Sequence, residues 1–288
     1  MRRAFAIVLD AFYRFLEDDG WAIASYIALT TLMALFPFLI LVTALAAFLG
    51  SKDLADNAAN LLLDTWPKEV AEPIAGEVHR VLSTTRGDVL TLSGISSVYF
   101  ASSGVESLRI GLNRAYGVKE TRNWLLLRIE SIIYVLVGAI GLLALTIPIV
   151  LGPFLFATAL RYAPWVAPLE PIFNFVRFAL ATGLITVALF VSHKWLPAGH
   201  RKLREVAVGI LATLLLWLIA GILFGRYLEA FASNYVTYYA GLASVVIALV
   251  FLYWSASIFV FGAELNSAIC QPRRADTLPP PLAGEGGG

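Results

Sequence analysis

Six long apolar stretches constrain the fold of this chain more than any other feature of its sequence. They cover residues 22–49, 89–111, 124–151, 172–191, 206–228 and 240–267. A helix rises about 1.5 Å per residue, so roughly 20 apolar residues cross a hydrocarbon core about 30 Å thick. Each stretch is long enough for one such crossing. The sequence therefore predicts an all-α fold, a polytopic membrane helix bundle with six transmembrane helices.

The composition excludes a water-soluble globule. Charged residues make up 14% of the chain and apolar residues 59%, whereas soluble domains carry about 25% charged residues. The net charge of +1 lacks the basic excess that is typical of nucleic-acid-binding proteins, so we expect no nucleic-acid partner. The lipid bilayer is the predicted partner, and oligomerisation stays open.

The second stretch, residues 89–111, is the most polar of the six, because it contains six serines together with Glu106 and Arg109. Cytoplasmic segments of membrane proteins carry an excess of Lys and Arg. If this stretch also crosses, about two thirds of the 21 Lys and Arg residues fall on one side of the membrane. The charge distribution thus favours six crossings, with both termini in the cytoplasm.

Three segments differ in composition from the apolar stretches. Residues 1–20 predict an amphipathic helix, which lies either on the inner membrane surface or against the cytoplasmic face of the bundle. Within the transmembrane domain, residues 21–270, the outer loop 51–88 carries two apolar stripes and predicts two short amphipathic helices. The tail, residues 271–288, is rich in Pro and Gly, so we expect it to be disordered.

No motif for a cofactor or for catalysis is present. The chain has no GxxxxGK(S/T), GxSxG or HExxH segment. The histidines His79, His193 and His200 have no partner at metal-ligand spacing. Cys270 is the single cysteine and cannot form an internal disulfide. We therefore predict no cofactor, no metal site and no enzymatic activity.

Polar residues inside the predicted helices are the candidate functional residues, because a charge at the centre of a bilayer costs about 2.5–3.5 kcal/mol even on the gentlest scale. They all fall in the half of the bundle that is predicted to face the cytoplasm, and we expect them to line a polar, hydrated cavity. These residues are Ser25, Tyr26, Glu106, Arg109, Asn113, Glu130, Glu264 and Asn266.

Structural ion pairing is the alternative interpretation of these charges. Glu106 and Arg109 are spaced i,i+3, which places them on one face of a helix. Glu130 can pair with a neighbouring arginine such as Arg128 or Arg114. In that case the charges hold helices together and touch no substrate.

Proline and glycine positions predict where the helices bend and where they pack. Pro37 and Pro148 lie within predicted helices. Proline frees a backbone carbonyl and kinks a helix, and such breaks line binding sites in transporters, although they also occur without a function. Gly221 and Gly225 form a GxxxG pair, which predicts a close helix contact.

Three sequence blocks carry a family resemblance. They are Ser25-Tyr26 with the following Leu35-Phe36-Pro37, the segment 104–122 around Asn113-Arg114-Ala115-Tyr116, and a last apolar stretch that ends in Gly262-Ala263-Glu264-Leu265-Asn266. In order and spacing, over about residues 5–270, they resemble the YihY/BrkB family of bacterial inner-membrane proteins. The resemblance implies six helices, both termini in the cytoplasm and no established biochemistry. Members have carried the labels ribonuclease BN and virulence factor.

Two functions from different classes fit these features. The first is transport or export of a lipid-linked or small amphiphilic substrate through the cytoplasmic-side polar cavity. The second is a non-transporting membrane scaffold or a partner in envelope biogenesis. A ribonuclease is disfavoured, because a metal-dependent nuclease needs clustered His and Asp ligands. Cytoplasmic Lys and Arg residues, such as those in segment 200–204, are candidates for contact with anionic lipid, but the positive-inside orientation is sufficient to explain them and is the favoured interpretation.

Overall fold

The computed structural model describes residues 2–48, 90–146, 148–149, 152–239 and 242–271. Eight α-helices form there: α1 Arg2–Glu17, α2 Gly20–Phe48, α3 Leu90–Ala115, α4 Trp124–Thr146, α5 Gly152–Tyr162, α6 Glu170–Trp195, α7 Leu203–Tyr239 and α8 Ala243–Cys270. A 3₁₀ segment, Pro164–Leu169, joins α5 to α6, and no strand occurs in these ranges. The predicted outer loop 51–88 and the tail beyond residue 271 lie outside them.

The six longest helices coincide with the six predicted crossings. Five of them, namely α2, α4, α6, α7 and α8, contain segments that are long and apolar enough to cross a membrane. Helix α3 has 26 residues, which is also long enough, but its serines and charges keep its hydropathy below that of the others. The predicted all-α membrane bundle is confirmed, and α3 is its polar helix.

Helices α2 and α3 form the most extensive helix pair. A Cβ atom added to Gly104 of α3 would touch Ala34 of α2, and one added to Gly111 would meet Ile27. Position rises along α3 as it falls along α2, so the two helices are antiparallel. Small residues let the two backbones approach closely, which is how helices associate where lipid provides no hydrophobic drive.

The first and the last described helices meet at one end of the bundle. Arg114 at the end of α3 forms an ion pair of 3.0 Å with Asp19 in the turn between α1 and α2. Arg14 of α1 donates a hydrogen bond of 3.1 Å to the carbonyl of Gln271, directly after α8. We call this end, with the α1–α2, α3–α4 and α6–α7 turns and the end of α8, the polar end.

Helix α1 is amphipathic, as predicted. Ala11 and Phe15 are buried, and the Phe15 ring lies 6.5 Å from that of Phe261 on α8. Phe5 and Phe12, by contrast, are exposed. One face of α1 therefore packs against the bundle, while another leaves aromatic side chains available to the membrane interface.

A pair of glycines makes the closest contact between α7 and α8. A Cβ atom on Gly209 would overlap the carbonyl oxygen of Gly262, and one on Gly262 would overlap the Thr213 hydroxyl. By contrast, a Cβ atom at Gly221 or Gly225 would meet no atom of the described chain within 4 Å. The helix contact predicted for the GxxxG pair is therefore wrong within this part of the chain, because that face of α7 turns away from its neighbours.

The two prolines behave differently. Helix α2 continues through Pro37, so the expected break is absent there, and packing against α3 and α8 supports the helix on both sides. Helix α4, by contrast, ends two residues before Pro148. Arg177 of α6 donates a hydrogen bond of 2.9 Å to the carbonyl of Ile149, which satisfies an acceptor that the helix no longer covers.

Candidate functional site

Three charged side chains of α3 and α4 form a cluster inside the bundle, which we call the Glu106 triad (Glu106, Arg109 and Arg128). Arg128 Nη1 donates to Glu106 Oε2 at 2.7 Å, and Arg109 Nη2 lies 3.5 Å from Glu106 Oε1. Both arginines are buried, with 3% exposure for Arg109 and 7% for Arg128. Two cations share one anion, so the triad carries a net positive charge.

The Arg128 side chain extends toward the middle of the bundle. Its Nη2 donates to the carbonyl of Tyr99 at 2.8 Å, and its guanidinium stacks 3.7 Å from the centroid of the Tyr99 ring. Tyr99 lies sixteen residues before the end of α3, roughly 24 Å along the helix. Arg128 itself lies in the second turn of α4, near the polar end. An arginine close to a helix end ordinarily extends toward water, and this one does the opposite.

Arg109 has a structural role within the triad. Its Nη1 donates to the carbonyl of Leu127 at 3.1 Å and to Ser131 Oγ at 3.0 Å. Ser131 Oγ in turn donates to the same Leu127 carbonyl at 2.9 Å. Arg109 therefore fastens α3 to α4, whereas the Nε atom of Arg128 has no hydrogen-bond partner among the described residues.

A second ionic network lies closer to the polar end, in the turn between α3 and α4. Arg122 donates to both oxygens of Glu120, at 2.9 and 2.8 Å, and to Glu130 Oε2 at 2.9 Å. It also donates to the carbonyl of Leu196 at 2.9 Å, which joins this turn to the end of α6. Since this network has one cation and two anions, its local charge is opposite to that of the triad.

Asn113 connects this network to the α6–α7 turn. Its Nδ2 donates to Glu120 Oε2 at 3.1 Å, and its Oδ1 accepts the backbone N–H of Ala198 at 2.7 Å. The hydrogen bonds from Arg122 hold the pKa of Glu120 at about 2, below its ordinary value of 4.5, although burial opposes that shift. Glu120 is thus ionised at neutral pH and stabilises the turn as an anion.

Acidification is expected to destabilise the protein through Glu120. The folded-state pKa lies below the ordinary value, so the stabilisation is present above about pH 4.5 and is lost as the pH falls toward about 2. We expect Glu120→Gln to reduce the drop in melting temperature between pH 7 and pH 3, measured by differential scanning fluorimetry in detergent. Glu17→Gln, an exposed acid of α1, is the control. An equal pH dependence in both variants would contradict the assignment.

A buried chain of hydrogen bonds joins four helices near the polar end. Asn266 Nδ2 donates to the Tyr116 hydroxyl at 3.2 Å, and that hydroxyl lies 2.9 Å from His193 Nδ1. Asn266 Oδ1 accepts the backbone N–H of Gly209 at 2.6 Å. When His193 is neutral with its proton on Nε2, the Tyr116 hydroxyl accepts from Asn266 and donates to His193. These hydrogen bonds thereby hold together the residue that follows α3 and residues of α6, α7 and α8.

Glu264 lies in the same region of α8 and is 1% exposed. Burial, with a smaller contribution from the Glu264 charge and opposed by the Asn266 hydrogen bond, raises the pKa of Tyr116 to about 12. Ser25 and Tyr26 lie in the second turn of α2, also near the polar end, but both are exposed. The Ser25 hydroxyl donates to the carbonyl of Trp21 in its own helix, at 3.0 Å.

The structure thus places all eight predicted residues in the polar half of the bundle, but Ser25 and Tyr26 are exposed on the surface of α2. Sequence reasoning missed the roles of Glu120, Arg122 and Tyr116 and considered Arg128 only as a partner for Glu130. Glu120, Arg122 and Tyr116 lie in segment 104–122, which is one of the blocks that carry the family resemblance. That resemblance could therefore have indicated them as candidate residues. No three His, Cys, Asp or Glu side chains come together as a metal-binding group in the ranges that the structure describes.

Comparison with known proteins gives consistent matches over nearly the whole chain. The sequence model of the family described as "Virulence factor BrkB" matches residues 11–284. A "ribonuclease-like protein YfkH" of Bacillus subtilis is 24% identical over 268 residues, which cover 90% of this chain and 94% of that protein. No solved structure matches.

Two further relatives are named as UPF0761 membrane proteins. That of Coxiella burnetii is 29% identical over 271 residues, which cover 92% of this chain and 93% of the relative. That of Rhodospirillum centenum is also 29% identical over 271 residues, but they cover only 58% of that longer protein. Two of these three relatives are therefore named as membrane proteins, and the third carries a ribonuclease-like name.

Proposed function

Because this chain belongs to the BrkB family, whose relatives are named as membrane proteins, we propose that it moves a lipid-linked or small amphiphilic substrate across the bacterial inner membrane. The Glu106 triad is the polar part of the pathway. The polar end faces the cytoplasm, and both termini lie there. The protein acts without a cofactor and is not a nuclease.

The inward direction of Arg128 is the observation that carries this proposal. A buried ion pair is no more stable than well-packed apolar side chains of similar size, and is often less stable. Arg128 is buried and reaches the carbonyl of Tyr99 near the middle of the bundle. Packing alone can therefore be achieved with apolar side chains, without a buried arginine at this depth. Intramembrane charges therefore default to functional candidates.

The surroundings of Glu106 support an amphiphilic substrate. The Glu106 side chain is 29% exposed, so the triad reaches the surface of the bundle. Ile110, one turn further along α3 and on the same face, is exposed, as are Tyr99 and Phe100 on the same helix. A polar headgroup at Glu106 and Arg128 therefore leaves an attached tail against apolar side chains and lipid.

The distribution of basic residues supports a cytoplasmic polar end. The turns and helix ends there contain Arg14, Arg114, Lys119, Arg122, Lys194, Arg201, Lys202 and Arg204. The opposite half of the described bundle contains Arg161, Arg177 and Arg226. Cytoplasmic segments carry the excess of Lys and Arg in membrane proteins, so this end belongs in the cytoplasm.

A non-transporting scaffold is the second candidate, and the pairing of the charges favours it. Glu106 has two arginine partners, and Arg122 has two glutamate partners. Two pockets that open at the polar end of the described bundle are lined by neither Glu106 nor Glu264. A scaffold needs these charges only to hold α3 against α4.

Complementation of a strain that lacks this protein separates the two candidates. We expect Arg128→Met combined with Glu106→Met to give a folded protein that fails to restore the lipid and solute profile, because the pathway has lost two of its three charges. Arg114→Met, which removes an exposed arginine of the same helix, should restore the profile fully. All variants are compared at equal amounts of membrane-inserted protein. Full complementation by the folded double variant would refute transport through the triad and leave the scaffold.

A further inference from the structure

A pocket of about 230 Å³ opens at the polar end, away from the Glu106 triad. It lies between the α6–α7 turn and the last turn of α8. Its lining residues are Tyr116, Arg201, Glu205, Asn266, Ser267 and Cys270, among others. Three of them, Tyr116, Asn266 and Ser267, are at least nine-tenths buried. The walls are therefore held by the hydrogen-bonded chain that joins α7 and α8, and the pocket has a preformed shape.

Arg201 gives the pocket a cation with unused donors. Its guanidinium stacks 3.9 Å from the centroid of the Tyr116 ring, which fixes the plane of the group. Its Nη1 donates to the carbonyl of Ala198 at 3.1 Å. Within the ranges that the structure describes, this is its only hydrogen bond, and no carboxylate lies within 4 Å of it. A guanidinium has five N–H donors, so most of them are left for a ligand.

Glu205, the acidic residue of the pocket, is hydrogen-bonded to the backbone at the start of α7. Glu205 Oε2 accepts the backbone N–H of Lys202 at 2.9 Å, and the backbone N–H of Glu205 donates back to the Lys202 carbonyl at 2.9 Å. This reciprocal pair closes the first turn of α7, as a capping residue does. The carboxylate is thereby fixed to the helix start, and Arg201 keeps its own donors.

The size and charge of the pocket select a phosphate group. Its volume is below the roughly 300–1,000 Å³ of sites that enclose drug-sized ligands, so it admits a headgroup but not a whole lipid. A stacked guanidinium with free donors matches the oxygens of a phosphate. His200 lines the pocket, and Lys202 and Arg204 are exposed beside it. Basic pockets at the membrane surface hold lipid phosphates in the same way.

We propose that this pocket binds a phosphate ester, with Arg201 as the main ligand-binding side chain. The phosphate belongs either to the headgroup of an anionic lipid or to a soluble phosphate ester. This inference stands on the pocket and on Arg201, and it does not depend on transport through the Glu106 triad.

Labelling of Cys270 tests the proposal without any substitution. Cys270 lines the pocket, is exposed, and is the single cysteine of the chain. We expect sn-glycerol 3-phosphate to slow its reaction with a maleimide in detergent-purified protein, relative to chloride at equal ionic strength. At ten times the dissociation constant the slowing should be about tenfold, because protection follows one plus the ratio of ligand concentration to dissociation constant.

The second arm distinguishes the two sources of phosphate. Protein in nanodiscs of phosphatidylglycerol is compared with protein in nanodiscs of phosphatidylcholine. If phosphatidylglycerol protects Cys270, the phosphate belongs to a lipid headgroup. If glycerol phosphate protects as well, the headgroup is sufficient for binding. If glycerol phosphate protects and phosphatidylglycerol does not, the phosphate belongs to a soluble ester. No protection in either arm overturns the proposal, and equal protection by succinate overturns the assignment to phosphate.

Arg201→Gln and Arg204→Gln form a matched pair of variants. Each removes one positive charge from the same segment, but only Arg201 lines the pocket. We expect Arg201→Gln to abolish protection of Cys270 and Arg204→Gln to retain it. If Arg201→Gln is protected as well as the wild type, the site is not built on Arg201. If that variant fails to fold, the comparison of ligands on the wild-type protein still decides the question.

Discussion

Replacing Arg128 with methionine is expected to lower the free energy of unfolding by about 3 kcal/mol, a large fraction of what a typical domain has. The change removes the 2.7 Å hydrogen bond to Glu106 and the bond to the carbonyl of Tyr99. Glu106 keeps only Arg109, at 3.5 Å. Its 29% exposure places the loss at the lower end of the range for broken buried pairs.

The double variant Arg128→Met and Glu106→Met should recover part of this loss. Apolar side chains of similar volume replace a buried pair at little cost, but Arg109 loses its carboxylate partner and keeps its hydrogen bonds to the Leu127 carbonyl and Ser131, so the recovery is incomplete. Stability is read from the midpoint of thermal aggregation in detergent, by fluorescence-detected size-exclusion chromatography. Arg114→Met is the control, because its pairs are exposed and should be worth less than about 1 kcal/mol. A double variant as unstable as the single one would show that the charge balance is not what Arg128 provides.

Replacing Gly209 with alanine should be comparably damaging. The new Cβ atom would overlap the carbonyl oxygen of Gly262 and the Asn266 amide. Neither a backbone carbonyl nor a buried, hydrogen-bonded amide can move aside easily, so α7 must separate from α8. Overpacking of this kind costs about 1–3 kcal/mol. Separation of α7 from α8 would also stretch the 2.6 Å hydrogen bond from the Gly209 N–H to Asn266. We therefore expect a loss at the upper end of that range.

Gly221→Ala is the matched control for this experiment. It lies on the same helix, and the added Cβ atom would meet no described atom within 4 Å. Alanine is the better helix former by about 0.8–1.0 kcal/mol, so stability should stay equal or rise. The two variants are compared by the same thermal measurement. Equal losses at Gly209 and Gly221 would mean that the α7–α8 contact at Gly209 does not set the outcome.

The positions of the long helices could be predicted from sequence because the length of an apolar stretch is fixed by the thickness of the bilayer. Even α3 could be placed, although its serines and charges weaken the apolar signal, because the distribution of Lys and Arg requires another crossing. Where the chain passes through lipid, length and charge thus determine the order of the elements. The outer loop 51–88 and the tail beyond residue 271 stay predictions.

The face that a residue occupies on its helix was harder to predict. Depth follows from counting residues, and Glu106 and Glu264 lie in the polar half of the described bundle. The rotation of a helix about its axis does not follow from counting residues. Helix α2 is apolar on all sides, so its sequence does not indicate that Ser25 and Tyr26 face outward. The Tyr116–His193 pair joins residues 77 positions apart, and such contacts arise only when the helices pack. The same holds for Gly209 with Gly262, whereas the more familiar Gly221–Gly225 spacing makes no close contact with the described part of the chain.

The central position of α8 has a consequence for biosynthesis. This helix packs against α1, α2, α3 and α7, yet it is the last of them to leave the ribosome. Domains generally fold as their N-terminal parts emerge, but here α1 waits for its main partner, α8, until all the other described helices have been made. A nascent chain that stalls before residue 243 leaves Phe15 and the face of α2 that packs on α8 uncovered.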